Sequence, residues 1–165
     1  MLENQVKSIY LGVGSNLGNR KKNIENAKSQ LIQNDIIILR LSSYYESFSW
    51  PDPDKPKFLN IVLEVSTNHS PSKLINILKN IEFNLGRKKR SKNSPRECDI
   101  DILDYENKKT HGKVILPHPR MHKRNFVLLP LFEINKTWKH PRLKLSIKNL
   151  ILSLSNRDIR SIKQI

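Results

Sequence analysis

A chain of 165 residues is long enough to bury one continuous core, so a single domain over residues 1–165 is expected. An apolar fraction of 37% excludes general disorder, and no run of 18 apolar residues exists to cross a membrane. Thirty Lys and Arg against fifteen Asp and Glu give a net charge of +15, a surface that attracts polyanions such as nucleic acid, nucleotide phosphates or anionic membrane.

The first residues, Met1 to Lys7, are polar and lack the apolar middle of a secretory leader. Cys98 stands alone, so an internal disulfide and a multi-cysteine metal site are both excluded. A cytoplasmic monomer is the expectation. The lysines set among Asn and Ile give the bulk charge a compositional reading as well as a functional one. Its clustering is more telling. Between Gly86 and Glu97 lie Arg87, Lys88, Lys89, Arg90, Lys92 and Arg96, with Glu97 the only acid.

In chain order, Val6 to Val13 is β-rich and predicts a first strand. Gly14 to Asn19 predicts a turn in which Ser15, Asn16 and Asn19 cap backbone donors. Ile24, Ala27, Leu31 and Ile32 recur at helical spacing and predict a helix from Arg20 to Asn34. Ile36 to Tyr45 predicts a long second strand. Pro51, Pro53 and Pro56 make Phe48 to Lys57 a loop. Phe58 to Ser66 alternates as a third strand. Ser70 and Pro71 open a second helix whose apolar face runs from Leu74 to Leu85, and Gly86 stops it. Cys98 to Leu103 predicts a fourth strand, and Tyr105 to Lys113 a hairpin tip returning through Val114 to Leu116. Phe126 to Ile134 predicts a short helix interrupted at Pro130, and Ser146 to Leu154 a closing amphipathic helix. The order β-α-β-β-α-β with C-terminal additions predicts an α+β, ferredoxin-like fold: an antiparallel sheet with helices on one face. That fold hosts many activities, so function has to come from the site.

The sharpest chemical feature is Cys98-Asp99-Ile100-Asp101-Ile102. Side chains alternate along a strand, so Cys98, Ile100 and Ile102 face the helices and both aspartates share the open face. Their Cα atoms then lie about 6.6–7 Å apart. Carboxylates at that spacing converge on Mg²⁺, which takes a few carboxylates with water and phosphate oxygens. An Asp-x-Asp by itself is better explained by a merely polar strand face. Pro95-Arg96 and the basic segment just before it change the balance. Carboxylates that hold Mg²⁺ beside cations that neutralise phosphate are what polyphosphate chemistry requires. Arg87 and Arg96 flank the segment near ordered elements, whereas Lys88 and Arg90 read as solvated charge. Downstream, His118, Arg120, His122 and Arg124 gather beside Pro117 and Pro119 and suggest an anion-contacting turn. Gly12, Gly14 and Gly18 are spaced one residue too long for the dinucleotide fingerprint, and no Gly-x-x-x-x-Gly-Lys-Ser/Thr loop occurs. Gly14 to Gly18 is therefore read as a structural turn.

Taken together and in order, Gly14-Ser15-Asn16-Leu17-Gly18, Ser42-Ser43-x-Tyr45, Phe58-Leu59-Asn60, Glu82 with Gly86-Arg87, Pro95-Arg96-x-x-Asp99-x-Asp101, Pro117-His118-Pro119, Arg124 and Phe126 resemble the 6-hydroxymethyl-7,8-dihydropterin pyrophosphokinases of folate biosynthesis. Each piece is weak and the ordered set is specific; the likeness runs from Tyr10 to about Ile134. The resemblance implies transfer of the β,γ-pyrophosphoryl unit of ATP to the pterin hydroxymethyl group, with release of AMP. It implies that Asp99 and Asp101 bind two Mg²⁺ ions. One would bridge the α- and β-phosphates and the pterin hydroxyl, the other the β- and γ-phosphates. Glu82, Arg87, Arg96, His118 and Arg124 match ATP-contacting positions, with Arg87 and Arg96 catalytic beside the aspartates. Asn60 matches the reader of the pterin edge, and Ser47, Phe48, Phe58 and Phe126 the pterin pocket, Phe126 as a stacking ring.

Two departures stand out. Asn93-Ser94 occupies the place of a common Trp-Gly, in a basic segment one residue shorter than the familiar form. Ser47-Phe48-Ser49-Trp50-Pro51 replaces a Thr-x-Pro stretch, leaving Trp50 either as pocket surface or as loop packing. Phe48 to Lys57 and Lys88 to Ser94 are the expected lids. The competing reading is a non-catalytic, basic, ferredoxin-like RNA-binding domain. Such modules carry stacking aromatics on central strands, where this chain carries Asp99 and Asp101. The expected partners are therefore ATP and the pterin alone, with neither a membrane nor a specific nucleic acid.

Overall fold

The computed structural model describes residues 7–165; Val6, the expected start of the first strand, lies outside them. Strand β1 (Ile9–Ser15) is buried along nearly its whole length as an interior strand of the sheet. Helix α1 (Arg20–Gln33) follows, with Asn19 as its cap accepting from Lys22 N. Its apolar stripe, Ile24, Ala27 and Leu31, is fully buried. Helix α2 (Pro71–Asn84) starts as expected, Ser70 accepting from Lys73 N and Pro71 in the first turn. Beyond its end, Gly86 takes φ +102°, a conformation in which only glycine is unstrained.

The predicted long second strand is two strands, β2 (Ile37–Leu41) and β3 (Tyr45–Ser47), both antiparallel to β4 (Phe58–Ser66). Ser42 makes the break. Its N–H still reaches Val62 O, while its Oγ accepts from Val62 N and donates to Ser43 O. A hydroxyl competing for backbone partners interrupts a ladder in this way. Strand β5 (Asp99–Tyr105) pairs with β1 on the other side, giving the order β5-β1-β4-β3, with β2 beside the far end of β4.

The β1–β5 register slips by one residue, from Tyr10↔Asp104 to Leu11↔Ile102. Leu103 is the extra residue of this bulge. Before it, Ile100 and Ile102 pack with α1 and α2 while Asp99 and Asp101 face the other way. Leu103 and Asp104 also point to that other face, where Leu103 meets Tyr10 and Val62, and Asp104 Oδ2 accepts from Trp138 Nε1 at 2.9 Å.

Three expectations about the C-terminal part need correction. The return strand Val114 to Leu116 is only a bridge between Leu116 and Thr110. Helix α3 (Asn125–Ile134) runs unbroken through Pro130, which forfeits one hydrogen bond but is buried in the core. The closing helix α4 (Ile147–Leu152) is followed by α5 (Asn156–Ser161) and a short strand β6 (Lys163–Gln164) that extends the sheet beyond β3. These additions matter to the site. Val127, Leu128, Leu131 and Leu150 of α3 and α4 cover part of the face expected to lie open. The rest of that face becomes a walled cleft.

Candidate active site

The cleft encloses about 240 Å³ over the N-terminal end of β5, the C-terminal end of β1 and the start of β4. Asp99 and Asp101 form its floor. Arg87 Nη1 lies 3.0 Å and Arg96 Nη1 3.4 Å from Asp99 Oδ1. On the other side Arg124 Nη1 lies 3.4 Å and His118 Nε2 3.8 Å from Asp101 Oδ2. Each carboxylate is thus held by cationic or imidazole groups at one oxygen. Asp99 Oδ2 and Asp101 Oδ1 accept no hydrogen bond from the described residues. Burial and the charge of Asp99 push the Asp101 carboxyl up to about 6. Two carboxylate oxygens left free on one face suit a hard divalent cation that takes its remaining ligands from water and phosphate.

Glu82, expected to touch nucleotide, does not line the cleft. Its carboxylate is buried behind the wall, where Oε1 accepts from Ile100 N at 2.8 Å and Oε2 pairs with Arg87 Nη1. Burial, and after it the charge of Asp99, pushes this acid up to about 7 against the pull of Ile100 N and Arg87. Glu82 therefore aims Arg87 and fixes the strand between the two aspartates.

His118 lines the cleft. Its Nδ1 accepts from Arg120 N at 3.1 Å, so the ring proton belongs on Nε2, towards Asp101. Burial and the neighbouring Arg124 and Arg120 pull its pKa down to about 4. At neutral pH this side chain is an uncharged donor.

The rest of the cleft is lined by aromatic rings together with the Asn60 amide. Phe58 and Phe126 line it, as expected. Asn60 Nδ2 donates to Ser47 Oγ at 2.9 Å, leaving Oδ1 as an acceptor beside Gly14. Ser47, expected to line the pocket, is buried behind Asn60 and orients it. Phe48, also expected there, is 44% exposed with Lys57 Nζ 4.7 Å over its ring, and lines a neighbouring groove instead of the cleft. Ser49 and Trp50 take its place on the wall. Trp50 is pocket surface: Arg124 and Arg120 lie 5.2 and 5.4 Å from its ring centroid.

Three contributions escaped sequence reading. Gly14 belongs to β1 and not to a turn. A Cβ there would stand 2.9 Å from Asn60 Oδ1, so the glycine makes room for the polar reader. Asn16, next to the end of β1, holds the end of the proline loop and the residue just past the basic one, since its Oδ1 accepts from Arg96 N at 2.8 Å and its Nδ2 donates to Pro56 O at 3.0 Å. Lys55 Nζ donates to Asn93 O at 2.9 Å and joins the two lids directly. Arg90, expected to be solvated charge, bonds Pro95 O and reaches Glu97, closing the base of the basic loop. The signal for Asn16 was its place among capping residues; nothing local marks Lys55.

Residues 10–136 match the family model for 7,8-dihydro-6-hydroxymethylpterin-pyrophosphokinase. A 2-amino-4-hydroxy-6-hydroxymethyldihydropteridine pyrophosphokinase of Aquifex aeolicus (strain VF5) is 39% identical over 142 residues, covering 86% of this chain and 88% of that protein. The Bacillus subtilis (strain 168) protein of the same name is 38% identical over 128 residues, 76% of each chain. The folic acid synthesis protein fol1 of Pneumocystis carinii is 38% identical over 157 residues, but this chain spans only 21% of its length. The fold is that of a Plasmodium falciparum HPPK-DHPS crystallised with pteroate, at a TM-score of 0.78 and 15% identity over 96% of this chain and 45% of that one. With a family model covering Tyr10 to Lys136 and bacterial relatives matched over most of their length, this chain belongs to the 7,8-dihydro-6-hydroxymethylpterin-pyrophosphokinase family.

Proposed function

We propose that this chain transfers pyrophosphate from ATP to 6-hydroxymethyl-7,8-dihydropterin, giving AMP and the pterin diphosphate, a step of folate biosynthesis. One observation carries the reading. A carboxylate pair with free oxygens lies between arginines at one end of a cleft whose other end is aromatic with a single amide reader. The first half suits a metal-bound polyphosphate and the second a flat, hydrogen-bonding heterocycle. The RNA-binding alternative is disfavoured because Tyr10 on β1 is buried under α3, and Asp99 and Asp101 stand where a phosphate backbone would run.

Asp99 and Asp101 would hold two Mg²⁺ ions with ATP as co-substrate. When bound, Mg²⁺ supplies charge neutralisation on the phosphates and lowers the pKa of a coordinated hydroxyl. The protein's own groups do the rest. Arg87 and Arg96, parked on Asp99 Oδ1, are positioned to move onto phosphate oxygens as charge shifts toward the leaving AMP. Glu82 keeps Arg87 aimed. His118 donates from Nε2, so it is a phosphate donor and not a proton acceptor. Asn60 Oδ1 accepts from the heterocycle's N–H edge, while Phe58 and Phe126 exclude water from its faces. The new bond joins the pterin hydroxyl oxygen to the β-phosphorus; the bond broken is that from the β-phosphorus to the bridging oxygen retained by AMP. Loops 48–57 and 88–94, linked through Lys55 and Asn93, close over this centre and keep water from attacking in the alcohol's place. The protein works as a cytoplasmic monomer.

Incubating the chain with MgATP and the pterin alcohol tests the reading. AMP and pterin diphosphate should appear in equal amounts. Release of ADP, or ATP hydrolysis that ignores the pterin, would contradict it.

A further inference from the structure

Arg120 is the cation of the cleft that no carboxylate claims. Arg87 and Arg96 share Asp99, and Arg124 reaches Asp101. The Arg120 guanidinium makes no hydrogen bond or ion pair with the described residues; its contact is the face of Trp50, 5.4 Å from the ring centroid. That indole also carries Arg124 at 5.2 Å. Two like charges held over one ring repel. An arrangement that gathers repelling cations without an acid between them is stabilised by an anion.

Arg120 also sits where two cavities meet. It borders the cleft above the aspartates and a second groove of about 280 Å³ under the basic segment, lined by Arg87, Lys88, Arg90 and Arg96 with no acidic side chain. An anion running from the aspartates into that groove meets the basic segment on one wall and Arg120 on the other. Stacking on a ring restrains a guanidinium while leaving its N–H edges free for phosphate. The Trp50 ring comes from the proline loop and lines the same cleft as Asn93.

We propose that Arg120 is an additional phosphate-contacting residue for the nucleotide, with Trp50 as the platform that positions it. The assignment deepens the pyrophosphoryl-transfer reading and rests on it for the identity of the anion.

The test is equilibrium titration with α,β-methylene-ATP and Mg²⁺ at low and high salt, and separately with the pterin alcohol. It compares wild type, Arg120→Met, Arg120→Lys, Trp50→Leu and the double variant Trp50→Leu/Arg120→Met. Lys148→Met, an exposed charge on α4, gives the effect of losing any one cation. Arg120→Met should weaken the nucleotide analogue about tenfold, the scale of one charge-assisted contact. The loss should persist at high salt and spare pterin binding. Arg120→Lys should recover only part of it, and the double variant should bind the analogue no worse than Arg120→Met. Wild-type affinity in Arg120→Met, or a loss that salt erases as it does for Lys148→Met, would overturn the phosphate contact. Multiplying losses in the double variant would overturn the platform. Because binding is read without turnover, failure of the wild-type chain to form pterin diphosphate would refute the reaction separately.

Discussion

At the scale of single residues, the site depends on small steric permissions as much as on charged groups. Gly14 is the clearest case. Its Cβ would meet Asn60 Oδ1 at 2.9 Å and Phe58 Cδ1 at 3.3 Å, both walls of the pocket proposed for the heterocycle. Gly14→Ala is therefore expected to push the amide off its Ser47 partner. Pterin affinity should fall about tenfold, the scale of one buried hydrogen bond, with nucleotide affinity retained. Separate titrations of each ligand check this, and equal losses for both would count against it. Asn60→Ala should show the same selectivity without the steric cause. These two variants also mark what a sequence discloses. Asn60 was legible only as part of the Phe58-Leu59-Asn60 piece of the ordered set that carries the family resemblance. Gly14 was read as a turn because glycine is common in turns, and its true neighbour is 46 positions away across a sheet ladder, Gly14 pairing with Asn60 in register.

At the scale of elements, the β-α-β-β-α-β core was legible because each element carries its own period and its own cap. Asn19 and Ser70 cap the helices expected of them, and Ser146, at the start of the expected closing helix, caps α4. The Asp99/Asp101 alternation likewise followed from strand geometry alone. What stayed hidden was tertiary: the bulge at Leu103, the break at Ser42, and the tail that runs through α5 into β6. The tail has no strong period, and its strand exists only because β3 offers an open edge. It also bears on function. Strand β6 pairs with Tyr45 and Glu46, Gln164 Nε2 donates to Ser43 Oγ, and Asn125 Nδ2 holds α5 through Asp158 O at 2.7 Å. Strand β3 leads directly into Ser47, Ser49 and Trp50. Deleting residues 163–165 should loosen that wall. The expected result is a pterin KM raised several-fold, kcat changed less, and a small drop in Tm, since two bridging pairs at an edge contribute little to global stability. Unchanged kinetics with a large loss of Tm would make the tail purely structural.

Over the whole molecule, charge and protonation set the working range. His140 is buried beside Trp138 and His122, and its Nδ1 accepts from Arg142 N and Leu143 N. Burial, then His122 and Arg142, lowers its pKa to about 4. A histidine depressed in the folded state leaves stability intact above its unfolded pKa of about 6.5 and costs stability as pH falls from there toward 4. Denaturant midpoints should therefore decline over that window, and His140→Asn, which keeps an acceptor and cannot titrate, should flatten the decline. An identical pH profile in the variant would exclude His140 as its source. The net charge of +15 acts differently, speeding the approach of any polyanion in a salt-dependent way while giving no specificity. Specificity is assigned to the carboxylate pair at the centre of that field. The most direct measurement is AMP formation by Asp99→Ala and Asp101→Ala, with circular dichroism recorded on the same samples. Both variants should keep the wild-type spectrum, because neither side chain supports the core, and both should lose nearly all turnover at saturating Mg²⁺, ATP and pterin. A folded Asp101→Ala protein that turns over at the wild-type rate would contradict the account at its centre.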